Sequence, residues 1–210
     1  MAIDVALLDT RSSGTTGTWS STVNIPADKS PACLILFLFN KGGLGGVNYV
    51  RIGGVTPDTI KSYSGSNVGF GVFARKDLAP GDYLVEVNAS GENRGIILGV
   101  WETIGWNTNP SSQYTSVLPS PGNLSFNPTL ASGQLFLEFY KQNSGTDNAR
   151  TAGQTLLSHL TGTGYEGGAA YKKSGGPYTW TTYVYDQYLF GLEFMPLGRL
   201  FFIPPAPIGL

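Results

Sequence analysis

At 210 residues, with 29 Gly, 13 Pro and only 13% charged side chains, the chain suits one large all-β domain or two small ones. It lacks the Ala/Glu/Lys/Leu mixture of long helices. A formal net charge of −1 without any basic run excludes a dedicated nucleic-acid binder, and one His far from one Cys excludes a zinc site.

Strand and turn signals alternate along the chain. Ile3–Leu8 is apolar and is closed by the flexible stretch from Arg11 to Gly17. Trp19, Ser21, Val23 and Ile25 share one face of an alternating segment that Pro26 ends. Ala32–Phe39 is apolar on both faces and lies between Pro31 and Gly42-Gly43, so it reads as a central buried strand with Cys33 as a small core residue. Val47–Ile52 leads into Gly53-Gly54, a pair that accepts positive φ in a tight hairpin turn. Gly69 and Gly71 take one face of the strand around Val72. Pro80-Gly81 is a turn, after which Tyr83, Val85 and Val87 alternate with Leu84, Glu86 and Asn88. Gly95–Trp101 is a further apolar strand.

Trp106–Leu118 is rich in Asn, Ser, Thr and Pro without a clear period, and Pro121-Gly122 opens a second run of strands. Leu135–Phe139 is expected as a strand with Glu138 outward, and Thr155–Leu160 as the only short helical turn. Tyr165–Tyr171 and Tyr178–Tyr185 flank the turn Ser174-Gly175-Gly176-Pro177, and Tyr188, Phe190, Leu192 and Phe194 alternate with Leu189, Gly191, Glu193 and Met195. Short strands at this spacing predict an all-β, antiparallel, jelly-roll-like β-sandwich. We expect one domain over 1–198, in which the 105–120 stretch crosses between sheets or marks a subdivision. Residues 199–210 form an extended proline-rich arm. In the arm Phe201, Phe202, Ile203, Ile208 and Leu210 are apolar, while Pro204, Pro205 and Pro207 prevent ladder pairing. It is a candidate partner-binding segment, docking either on its own sandwich or on a neighbouring subunit.

Catalytic patterns are missing from the sequence. His159 has no nucleophile motif around it and reads as a surface or half-buried histidine. Asn40–Gly46 resembles a phosphate loop but lacks the Gly-Lys-Ser/Thr ending. Glu86, Glu102, Glu138 and Glu193 stand singly along the strands, whereas a glycosidase needs two acids on one cleft. We therefore expect no enzyme, no metal and no cofactor. Tyr178, Trp180, Tyr183 and Tyr185 form a dense aromatic cluster, readable as sheet packing or as a platform for a glycan or protein partner. The N-terminus lacks a secretory signal's basic start and apolar core, and no apolar run approaches the roughly 20 residues of a membrane span. Synthesis in a host cytoplasm without membrane contact is the expectation.

Thr22-Val23-Asn24-Ile25-Pro26, Val50-Arg51-Ile52-Gly53-Gly54-Val55 and Leu78-Ala79-Pro80-Gly81-Asp82-Tyr83 resemble β-sandwich structural proteins of tailed-bacteriophage virions. So do Ala152-Gly153-Gln154-Thr155, Gly168-Ala169-Ala170-Tyr171-Lys172 and Thr179-Trp180-Thr181. The resemblance covers most of the chain through structural motifs. It implies a jelly-roll-like capsid decoration, head-spike or tail component located in the virion. Its partners would be other virion proteins, further copies of itself in a homo-oligomer, and a host-surface glycan. It carries no catalytic residue to transfer, and the proline-rich terminus departs from it. The alternative, resting on the aromatic cluster, is a carbohydrate-binding or adhesion module.

Overall fold

A strand that is apolar on both faces has to be covered twice, and this requirement organises the fold. The computed structural model describes residues 3–14, 17–40, 46–64, 69–106, 113–118, 122–142, 149–150, 154–162, 164–176, 178–182 and 187–196. The first half runs through β1 (Asp4–Ser12), β2 (Thr18–Ile25), β3 (Ala32–Asn40), β4 (Val47–Ile52), β5 (Asp58–Ser64), β6 (Gly69–Leu78), β7 (Gly81–Ala89) and β8 (Asn93–Trp101). The second half contains β9 (Thr103–Trp106), β10 (Gln113–Leu118), β11 (Gly122–Phe126), β12 (Leu135–Gln142), β13 (Ala149–Arg150), β14 (Thr155–Gly162), β15 (Tyr165–Lys172), β16 (Tyr178–Thr182) and β17 (Gln187–Pro196).

All the strand pairings are antiparallel. The first half forms a large sheet in the order β1-β8-β3-β6-β5 and a small sheet β2-β7-β4. The second half repeats both paths, as β10-β17-β12-β15-β14 and β11-β16-β13, with β9 added to β17. Each path is jelly-roll connectivity, in which the first strand lies beside the last and the third beside the sixth. The change from one path to the next falls within the Asn/Ser/Pro-rich stretch, between β9 and β10.

Every residue of β3 is buried. Leu34, Leu36 and Leu38 pack with Val23, Ile25, Val50, Ile52, Val85 and Val87 of the first small sheet. On the opposite face Cys33, Ile35, Phe37 and Phe39 join Leu135, Leu137, Phe139, Phe190 and Leu192 of the second large sheet. Ring contacts cross that boundary: Phe37–Phe139 at 5.1 Å, Phe39–Tyr165 edge-on at 6.1 Å and Tyr63–Tyr188 at 4.5 Å. The two halves therefore share one apolar interior, and the first large sheet is a middle layer with a core on each side.

Turn chemistry follows the sequence at Gly53-Gly54. Both residues have positive φ, 58° and 75°, and Ile52 N–H donates to the Val55 carbonyl at 2.9 Å. Two expectations are corrected. Residues 155–160 are not helical but begin β14, an edge strand with a register shift between Leu156 and Ser158. Glu138 does not face solvent; it is fully buried, because β12 is covered on both faces.

Truncating one ring in the shared interior should unfold both halves together. Phe139→Ala is expected to cost about 3–5 kcal/mol and to lower hydrogen-exchange protection in β3 as much as in β12. Loss confined to β12 would show that the halves unfold separately.

Candidate functional site

Three polar features stand out on the second half and on its boundary with the first. One lies on the face of β12 that points away from the shared interior. There the chain places Phe136, Glu138, Tyr140 and Gln142, where β3 has Ala32, Leu34, Leu36 and Leu38 and is polar only at its last residue, Asn40. Glu138 and Gln142 are fully buried, Glu166 and Glu193 nearly so. Glu138 stands between Ala170 of β15 and Gly191 of β17, and Glu193 stands beside Phe136. Glu138 and Glu193 are thus diagonal neighbours on adjacent strands, an association invisible in sequence because the two strands are distant in the chain. The Gln154 amide donates to Glu138, and His159 Nε2 lies 3.1 Å from a Glu166 carboxylate oxygen. Gln142 lies on the same face as Glu138 and faces Glu166 on β15; among the described residues neither atom of its side-chain amide has a partner.

Chemically this layer is closed. Glycoside hydrolysis needs two carboxyl groups opening on one cleft, and Glu138 and Glu193 are 0% and 6% exposed. Among the described residues no group of three His, Cys, Asp or Glu side chains could hold a metal ion. His159 is half-buried beside Glu166, in keeping with the reading of its sequence context. Cys33 is fully buried and its thiol pKa is pushed well up by that burial, so it packs and does not react.

A second feature pins one end of the boundary between the halves. The Tyr165 hydroxyl donates to Glu92 at 3.0 Å, and Arg94 reaches the same carboxylate at 3.3 Å. Arg94 and Lys141 approach the Tyr165 ring at 5.9 and 5.3 Å. The Tyr165 phenol is pushed up to about 12, first by burial and then by its bond to Glu92.

The third feature is an open pocket of about 340 Å³ at the far end of β15, lined by Thr155, Tyr171, Lys172, Lys173 and Ser174. Register sets Thr155 beside Tyr171. The turn after β15 closes one wall through two glycines. A Cβ on Gly175 would come within 3.2 Å of the Pro128 carbonyl oxygen; Gly176, at φ 121°, donates its N–H to that same oxygen at 3.4 Å. Lys173 Nζ lies 3.2 Å from Asp4 of the first half and 5.8 Å over the Tyr171 ring. Burial pushes the Asp4 carboxyl up, but the Lys173 ammonium and the Val5 backbone N–H outweigh it and hold it below its ordinary value.

The aromatic cluster proposed as a platform is only partly placed. Tyr178 and Trp180 are in β16, opposite Phe126 and Leu124 of β11 in the register, and their side chains lie outside the described residues. Tyr183 and Tyr185 lie outside the described residues, as do Phe201, Phe202, Ile203, Pro204, Pro205, Ile208 and Leu210 of the arm. Sequence reading missed the pocket, whose lining comes from the start of β14, the end of β15 and the following turn. The one available signal was the pair Lys172-Lys173 directly before Ser174-Gly175-Gly176. No family model matches the chain, and no curated relative does.

Two measurements test these sites. Gln142→Met keeps the volume and removes the unpartnered amide, so the urea midpoint should rise by an amount equivalent to about 1–2 kcal/mol; a fall would show that the amide is satisfied in solution. For Tyr165 the folded state holds its proton above the unfolded value of 10, so its contribution is complete below pH 10 and is lost as pH rises toward 12. Tyr165→Phe should remove that alkaline loss in denaturation curves recorded from pH 9 to 12.

Proposed function

We propose that the chain is a non-enzymatic structural protein of a tailed-phage virion or a phage-like particle, serving as a capsid decoration, head spike or tail component. The observation that carries the reading is the repeated jelly-roll path, joined through one apolar interior into a single thick block. Jelly rolls of this connectivity recur in viral shells and in lectins, and fold alone does not choose between them. Three observations favour the structural role. The interior joining the halves is dense and ring-filled, which suits a part that transmits load. The neighbouring carboxylates Glu138 and Glu193 are sealed from solvent. The composition is low in charge, as expected for surfaces packed against many neighbours.

In this reading the chain assembles through sheet surfaces and the arm at 199–210, with other virion proteins and further copies of itself as partners. The test compares the full chain with a 1–198 truncation by size-exclusion chromatography with light scattering. A discrete oligomer for the full chain, and a smaller species with unchanged circular dichroism and melting for the truncation, is the expected result. Two monomers would remove self-assembly from the proposal, and two identical oligomers would remove the arm.

A further inference from the structure

The geometry points to the open pocket at the end of β15 as a binding site for a small carboxylated polyol, of which an acidic sugar is the representative class. This assignment stands apart from the virion reading and holds for a lectin-like role equally.

Three properties of the pocket select the chemistry. Its volume, about 340 Å³, lies in the range of small-molecule sites. That is several times what a bare carboxylate or phosphate fills, so the ligand has a body as well as a charge. The Lys173 ammonium, 3.2 Å from Asp4 and 5.8 Å over the Tyr171 ring, supplies positive charge at the rim. Thr155 and the Tyr171 phenol add hydroxyls, each able to donate and to accept. A polyol can exchange hydrogen bonds with such hydroxyls, which an apolar body cannot.

The pocket also shows how it treats a carboxylate. Lys173 already holds the Asp4 carboxylate at 3.2 Å, and both side chains of that pair are about half exposed, at 45% and 50%. An exposed pair of this kind exchanges partners at little cost. A ligand carboxylate can therefore share or displace Asp4 without opening the interior. The turn that carries Ser174 is fixed by the approach of Gly175 and Gly176 to Pro128, so the wall is formed in advance of binding.

The test titrates the full chain separately with glucuronate, glucose and inorganic phosphate, following amide chemical shifts. Saturable shifts with glucuronate, centred on residues 155 and 171–176, are expected. Glucose should bind at least about tenfold more weakly, since a charge-assisted contact is lost. Lys173→Gln should weaken glucuronate binding by about tenfold, with Lys61→Gln on β5 as an unchanged control. Equal binding of glucose and glucuronate overturns the role of Lys173. Phosphate binding as tight as glucuronate overturns the polyol requirement, and shifts centred elsewhere or no saturation overturns the site. Should the Lys173 variant fail to fold, the location of the shifts in the unaltered chain decides the question alone.

Discussion

The contact between the two large sheets is the constraint on which the rest of the architecture depends. β3 carries apolar side chains on both faces, and a sheet built around it cannot leave either face in water. One face is covered by the small sheet of its own half. The other is covered only by the second half, through Phe37 against Phe139 and Phe39 against Tyr165. Each half thus completes the other, although each follows its own jelly-roll path. The connectivity is duplicated and the burial is not, which is why the chain behaves as one body with two topological units.

Duplication has not produced two similar interiors. The face of β12 away from the shared core carries a buried carboxylate in mid-strand, where β3 is aliphatic until its last residue, Asn40. Buried ionisable groups are costly and are poor evidence of stability. They are informative about register. In β12 a slip of one residue would drive Glu138 into the ring cluster around Phe139 and expose Leu137 to the polar layer. β3 has no such marker between Ala32 and Phe39, and along that stretch it takes its register from its neighbours. Glu138, with Gln154 bonded to it, gives β12 an address that β3 lacks.

How far the sequence reveals this fold depends on how local each signal is. β2, β7 and the Gly53-Gly54 turn are legible because alternation and turn chemistry are local, and each behaves as its residues require. β14 is misread as helical because the register shift between Leu156 and Ser158 breaks the two-residue period at the point where it would be counted. Glu138 is misread as outward because a lone charge in an apolar run normally marks the wet face; here that face is buried as well. The repeat of topology is not legible in the two central strands, since Ala-Cys-Leu-Ile-Leu-Phe-Leu-Phe-Asn of β3 and Leu-Phe-Leu-Glu-Phe-Tyr-Lys-Gln of β12 share hydrophobicity and little else. The pocket is equally hidden, because its lining is assembled by strand register and by a turn whose glycines are set by contact with Pro128.

Polar contacts pin the boundary between the halves at both ends, and the two pins differ in kind. Asp4 lies opposite Trp101 in the β1–β8 ladder and Ser12 opposite Arg94, so the Asp4–Lys173 pair and the Glu92–Arg94–Tyr165 group sit at opposite ends of the first large sheet. At the Tyr165 end the ring is buried while its acceptor Glu92 reaches the surface. The Asp4 end is open, and an exposed ion pair contributes no more than about 1 kcal/mol. Between them lies a ring-filled interior in which removal of a single Phe costs about 3–5 kcal/mol. The interior therefore sets the relation of the halves, and the open pin is free to serve another purpose. A lysine that is dispensable for holding the halves together, beside a preformed hydroxylic wall, is where the molecule can change partners without changing its fold.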